Sequence, residues 1–426
     1  MKVYADLHVH SKYSRATSPQ MDLEGLERGA KLKGIDLIGT GDFTHPLWFQ
    51  ELKNKLEEQD GCFVLKDSLE RKIKFVLSAE ISCIYTKGGK GRRIHLVVLA
   101  PSIADVEKIS KRITAQGGNL MSDGRPILGM DAEVLEKLIL EESPNALIIP
   151  AHIWTPWFSL FGANSGFNSL KDCFGEISDK IYAVETGLSS DPAMNWRIPE
   201  LDNVSIVSFS DSHSLPKLGR ECTVLELKDL SFEFLSEALK STRNKKQETG
   251  NKILYTVEFY PEEGKYHWTG HRNCNISVEE KEAERINYTC PKCKKRLTVG
   301  VMNRVRELAG RGEDFKPENR PTFKSLVPLE EIVAEAMGQK VGTGKVRNEY
   351  LKIISAFGSE FKVLEDAEIA EIEKLNAKVA DGVEKVRKGN IVIQPGYDGV
   401  YGVVKIWGED EEKAAAGAQK DQMKLL

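Results

Sequence analysis

Apolar and polar side chains alternate from Val3 to Val9, the period of a half-buried strand, so residues two apart share a face. The period then changes: in MDLEGLERGAKLKG, Leu23, Leu26 and Ala30 recur at helical spacing until Gly34 stops the run. IDLIGTGDF reads as a buried strand, Leu47 to Glu58 as a second helix, and KIKFVLSAEIS and RRIHLVVLA as two more apolar strands, the first ending on Glu80. Helical patterns around Ile103 to Ile113 and Ala132 to Leu140 precede the strand ALIIPAHIW. KIYAVETG, NVSIVSFSDSHS and LGRECTVLEL add strands, and SFEFLSEALKS a helix. Strands alternating with helices predict an α/β fold with a largely parallel sheet, open or closed into a barrel, whose ligands gather at the strands' carboxyl ends.

Further on the pattern loosens. GKYHWTGHRNCN, an acidic helix-like spacer and YTCPKCKKRL form a short cysteine-containing segment. Past a Pro-containing connector, Pro317 to Pro328, LEEIVAEAMGQK and VRNEYLKIISAFG are amphipathic helices, and Ala367 to Val386 reads as one long charged helix. GNIVIQPGYDGVYGVVKIW reads as two strands across a Pro-Gly-Tyr-Asp-Gly turn. The predicted division is residues 1–255, 256–312 and 313–426, the last mainly helical.

A chain of 426 residues with 41% hydrophobic content is long enough for two or three cores. Charged residues reach 29%, yet the net charge is only -4, so any nucleic-acid-binding surface must be local. The lack of a long apolar run or a signal-like start leads us to expect a soluble cytoplasmic protein. The seven cysteines form no disulfide ladder; Cys62, Cys83, Cys173 and Cys222 read as reduced packing residues.

His8 and His10 share the face of the first strand, and His45, Glu80, His152, Asp211 and His213 fall at or just past strand ends, with His95 inside one. Six of the eight histidines thus crowd the edge where such folds house chemistry. Imidazole and carboxylate together suit zinc, manganese or iron, and two such ions bridged by a carboxylate clamp a phosphate ester. Arg15, Lys90, Arg92, Arg93 and Lys217 are candidate phosphate partners. His271, Cys274, Cys290 and Cys293 match a structural zinc site, His267 being the reserve fourth ligand. Lys292, Lys294, Lys295, Arg296, Arg304, Arg306 and Arg311 could form a basic stripe along a phosphate backbone; a solvated helix face is the alternative.

ADLHVHS, GTGDFTH, LSAEIS, the His95 strand, PAHIW and SFSDSHS resemble, in order and spacing, the motifs of the PHP family of metal-dependent phosphoesterases. The resemblance implies a distorted β/α barrel with a trinuclear centre of zinc or manganese, with some iron. It implies that His8 and His10 hold one metal with Glu80 and Asp211, that Glu80 bridges to a second held by His95 and His152, and that His45 and His213 hold a third. Glu80 and Asp211 are thereby the catalytic carboxylates. Many members carry an acid shortly after the first motif, where this chain has Ser14 and Arg15; Asp42 is available instead.

With the zinc knuckle and the PGYDGVYG segment added, the full chain resembles the endonuclease Q family of archaeal and bacterial repair nucleases. That resemblance implies a metal-dependent endonuclease cutting DNA 5′ of hypoxanthine, uracil, xanthine or an abasic site, in double or single strands. It implies structural zinc, zinc or Mn2+, Mg2+ or iron at the catalytic centre, and the sliding clamp as a partner, for which the tail offers Gln422 and Leu425 but no pair of aromatic residues after them, an incomplete clamp-binding motif. Deamination turns an exocyclic donor into a carbonyl acceptor, so an extruded base would be read by N–H donors and stacking. HIWTPWFSLFGANSGFNS is the candidate wall: Trp154, Trp157 and Phe158 to stack, Asn164, Gly162 and Gly166 to donate; packing of a long loop is the alternative. A phosphatase of small esters needs neither zinc module nor C-terminal extension, and a non-catalytic lesion-binding protein needs no complete ligand set.

Overall fold

The computed structural model describes residues 1–69, 72–243 and 250–408. The alternating start forms strand β1 (Lys2–Asp6), with Val3 and Ala5 fully buried. Helix α1 (Leu23–Lys33) follows; the Asp22 carboxylate caps it by accepting from Gly25 N at 2.7 Å, and Gly34 ends it at φ 85°. Then come β2 (Leu37–Gly39), α2 (Pro46–Lys55), β3 (Leu56–Gln59), β4 (Cys62–Leu65), β5 (Lys74–Lys87), β6 (Lys90–Ala100), α3 (Ile103–Ala115) and β7 (Ile127–Leu128). The series continues through α4 (Ala132–Glu142), β8 (Leu147–Pro150), α5 (Leu170–Phe174), β9 (Ala183–Glu185), α6 (Pro192–Trp196), β10 (Ser205–Val207), β11 (Cys222–Glu226), α7 (Phe232–Lys240) and β12 (Lys252–Glu258).

Pairing closes these strands into an irregular ring. β1, β2 and β5 run parallel, β5 pairs antiparallel with β6, and β6 with β8. Just past β8, Ile153 N donates to Glu185 O of β9; β9 pairs parallel with β10; a Val9–Ser212 bridge returns the chain to the end of β1. A distorted β/α barrel results, and His8, His10, His152, Asp211 and His213 sit where its strands end.

Four sequence expectations are corrected. The sheet is mixed rather than largely parallel, because β5 and β6 form a long hairpin turning at Gly88 and Gly89, both at positive φ. Glu80 therefore lies in mid-strand, opposite Val97. The second helix ends at Lys55, since Asp60 and Gly61, at φ 55° and 73°, form a tight turn that pairs β3 with β4. The long charged helix breaks at Asn376, whose side chain caps the second piece through Val379 N.

The cysteine segment holds β13 (Thr269–His271), β14 (Ile276–Val278), α8 (Glu280–Arg285) and α9 (Val301–Leu308). The rest comprises β15 (Thr322–Ser325), α10 (Leu329–Ala336), α11 (Gly344–Phe357), α12 (Ile369–Leu375), α13 (Ala377–Lys388) and the hairpin β16 (Val392–Gln394) and β17 (Val403–Lys405). β12 runs across residue 255, and β15 pairs parallel with it, so the main sheet draws on all parts of the chain. The C-terminal helices dock on α1: the buried Lys33 and Glu360 pair at 2.7 Å, Glu360 also accepts from Tyr350 Oη, and Phe361 stacks on Tyr4. Among the described residues no helix is long and apolar enough to cross a membrane.

Candidate metal centre

Four donors meet at the barrel rim. His10 Nε2 lies 3.1 Å from Asp211 Oδ1 and 3.3 Å from Glu80 Oε2, and His8 Nε2 lies 3.7 and 3.6 Å from the same two oxygens. Ligands arranged tetrahedrally at about 2.1 Å from one ion stand about 3.4 Å apart, so these spacings fit a cation between them. His8 Nε2 is buried without a hydrogen-bond partner, whereas its Nδ1 meets the Glu185 carboxylate at 2.9 Å. His10 Nδ1 likewise meets Asp42 Oδ1 at 3.1 Å, and Asp42 is held in turn by Ser11 N and Oγ. A carboxylate orienting one ring nitrogen while the other faces the site is the usual support of a metal-ligating histidine.

Glu80 faces two ways. Its Oε1 lies 2.5 Å from His95 Nδ1 and 3.1 Å from His152 Nε2, and those two nitrogens stand 3.3 Å apart. One carboxylate thus joins two donor sets, and the residues fit a pair of bridged cations. His45 and His213 belong to neither set: the His213 ring packs on His10 at 4.3 Å between centroids, the His45 ring on Tyr13 at 4.6 Å.

The electrostatics are those of a cation trap. Burial opposes charge on His8, yet Glu185, Asp211 and Glu80 raise it well above the ordinary imidazole value. Glu80, though buried, is held well below the carboxylate range by His95, His8 and Arg125. Burial, opposed by Glu80, lowers His95 to about 4. Asp42, His152, Phe158 and Asp211 all adopt positive φ without being glycine, strain concentrated at one rim.

A second cluster lies in the cysteine segment, where donor atoms of His271, Cys274, Cys290 and Cys293 all fall within 4.8 Å of one another. His271, not the buried His267, completes it. Backbone N–H groups of Cys293 and Lys292 and the His271 side chain overcome desolvation to bring the Cys290 thiol down to about 6, so the set suits zinc. Lys294, Lys295 and Arg296 are exposed around it. The expected stripe does not extend to α9: Arg304 is buried and donates to Phe161 O and Phe167 O at 3.0 Å, Arg306 pairs with Glu284, and Arg311 with Asp202.

The loop after His152 forms a wall beside the second donor set. Phe158 packs on His95 with centroids 4.8 Å apart, and Trp157, 37% exposed, meets Tyr266 edge to face. Trp154 lies beneath the wall, fully buried, its indole N–H donating to Asn195. Asn164 is exposed, whereas Gly166 N already donates to Gly162 O.

A crystal structure of the lesion-specific endonuclease PfuEndoQ from Pyrococcus furiosus is 33% identical to this chain and superimposes with a TM-score of 0.84 over 96% of each. An endonuclease Q crystallised with a 27-mer duplex substrate bearing an abasic lesion at the active site is 34% identical, with a TM-score of 0.83 over 96% of this chain and 98% of its own. The chain belongs to the endonuclease Q family. Membership makes it a metal-dependent DNA endonuclease, the class that its motifs implied. The uncharacterized YqxK of Bacillus subtilis is 30% identical over 95% of this chain and 99% of its own length. The uncharacterized MJ0043 of Methanocaldococcus jannaschii is 35% identical over 258 residues, 31% of its length, and the MJ0043 C-terminal domain model matches residues 328–390.

Within this endonuclease Q chain two residues at the centre escaped the sequence reading. Glu185 orients His8 and accepts from His152 N at 2.8 Å; an acid closing the apolar run KIYAVE was the available signal. Arg125 donates to Glu80 Oε2 at 3.0 Å from a loop without periodic pattern.

Proposed function

We propose that this chain hydrolyses the phosphodiester bond 5′ of deaminated bases (hypoxanthine, uracil and xanthine) and of abasic sites, leaving 3′-hydroxyl and 5′-phosphate ends. The observation that carries the reading is Glu80, whose two oxygens face separate donor sets. His8, His10, Glu80 and Asp211 would hold one cation, Glu80, His95 and His152 the other, with His45 and His213 at a third. Zinc, Mn2+, Mg2+ or iron bound there would polarise the phosphate and acidify the attacking water. Glu185 and Asp42 keep His8 and His10 aimed inward. Arg125, at the mouth beside Glu80, is positioned to meet a non-bridging phosphate oxygen.

The extruded base would rest against Trp157 and Phe158, with Trp154 and Gly166 shaping the loop from below and Asn164 offering a donor at its surface. Residues 1–255 would supply the chemistry, 256–312 the zinc-held support and 313–426 much of the grip on single or double strands. With DNA as its substrate, the protein would act in the cytoplasm. Gln422 and Leu425, the candidate contacts for a sliding clamp, lie outside the described residues.

Labelled duplexes holding one uracil or hypoxanthine, incubated with protein and Mn2+, Mg2+ or Zn2+ beside a chromogenic phosphate monoester, test the reading. Lesion-dependent nicking is the expected result. Turnover of the monoester alone would favour a small-ester phosphatase, and binding without either product a non-catalytic protein.

A further inference from the structure

The segment PGYDGVYG forms the tip of the β16–β17 hairpin and is hydrogen-bonded to the segment that carries the cysteine cluster. Gly396 N and Gly402 N donate to Glu262 O and Glu263 O, Gly399 N to Lys265 O, and Asp398 accepts from Arg272 N at 2.7 Å and Thr298 Oγ1 at 2.5 Å. Yet this well-held tip presents apolar surface to water: Tyr401 is 67% exposed and Val400 40%. Large apolar side chains held out in solvent by a hydrogen-bonded turn contribute nothing to folding and point to a partner.

Position and chemistry select the partner. Tyr401 lies under the Lys265 ammonium, 4.3 Å from the ring centroid. The neighbouring Tyr266 touches Trp157 at 5.5 Å, and the next residue, Phe158, packs on the ligand His95. An aromatic strip with cations above it, Lys265 at one end and Arg93 over Phe158 at the other, thus leads from the hairpin tip to the metal centre. Stacked bases flanked by phosphates fit such a strip.

Resting on the proposed function, we infer that Tyr401 is a wedge that enters the base stack where the damaged nucleotide has left it. Extruding a nucleotide leaves a gap that the helix tends to reclose; an apolar ring inserted there lengthens the time the lesion spends at the metal centre. The phenol needs no hydrogen bond for this, so phenylalanine should serve and alanine should not.

The test uses full-length, metal-loaded protein and two hypoxanthine substrates, one paired in a duplex and one carried in an unpaired bulge where extrusion costs little. Tyr401→Ala should slow incision of the paired lesion by about tenfold or more and that of the bulged lesion by less than about threefold. Tyr401→Phe should restore the paired rate. Equal slowing on both substrates would assign Tyr401 to general DNA contact and overturn the wedge, as would an unchanged paired rate. Parent protein that nicks neither substrate would instead overturn the endonuclease reading and the wedge with it.

Discussion

Glu80 performs two tasks with one side chain, and each oxygen has its own histidine partners. Removal of a ligand should therefore stop chemistry while leaving in place the aromatic and cationic groups proposed to hold DNA. His8→Ala and Asp211→Asn are expected to lower incision by about a thousandfold or more, with lesion-duplex affinity by anisotropy held within about threefold. Comparable losses in both readouts would move these residues from chemistry to folding. Glu185 acts one step back, through the His8 ring. Glu185→Gln should weaken metal affinity by roughly tenfold to a hundredfold, with activity recovering as metal is added; a defect that persists at saturating metal would contradict the orienting role.

At the scale of elements, the legible parts were those in which chemistry rides on a strong local pattern. His8 and His10 sit on an alternating run, His152 and Asp211 close apolar strands, and the knuckle spacing identified Cys290 and Cys293. The residues that escaped depend on pairing between distant segments. Arg125 reaches Glu80 because the adjacent Ile127 and Leu128 pair with Ser82 and Cys83 across the sheet, a register that no local period encodes. Trp154 looked like a stacking residue and proved to be a packing one, because only the fold brings Asn195 to its indole. Helix α4 carries a further element-level consequence. Glu136 is buried with neither oxygen hydrogen-bonded, and burial, with Asp179 and Glu133 nearby, pushes it from 4.5 up to about 8. The folded state keeps this proton where the unfolded chain releases it, so the stability involved is full below pH 4.5 and is lost as pH rises through about 8. Glu136→Gln should raise Tm over the parent at pH 9 and barely change it at pH 5; a gain of equal size at both would contradict the assignment.

At the scale of the whole molecule, several contacts couple the barrel to the C-terminal half of the chain, and two of them lend themselves to test. The buried Lys33–Glu360 pair seats the C-terminal helices on α1, and Glu360→Ala, which strands the Lys33 charge, should cost about 3–5 kcal/mol in denaturant unfolding. An unaltered midpoint would show that Lys33 finds water. The other cross-link is Arg304, which carries the cysteine segment's geometry to the loop after His152 through Phe161 O and Phe167 O. Loss of zinc in Cys290→Ser should thus lower Tm and lesion affinity together; a zinc-free variant of full stability and activity would refute the structural assignment. The central claim, that imidazoles and carboxylates scattered along the barrel converge to cut DNA at lesions, is tested most directly by mapping the product ends from a labelled duplex holding one hypoxanthine. The account predicts a single nick on the 5′ side of the lesion, with 3′-hydroxyl and 5′-phosphate ends, that a chelator abolishes and added metal restores. An intact duplex under every metal, or a nick that survives chelation, would contradict it.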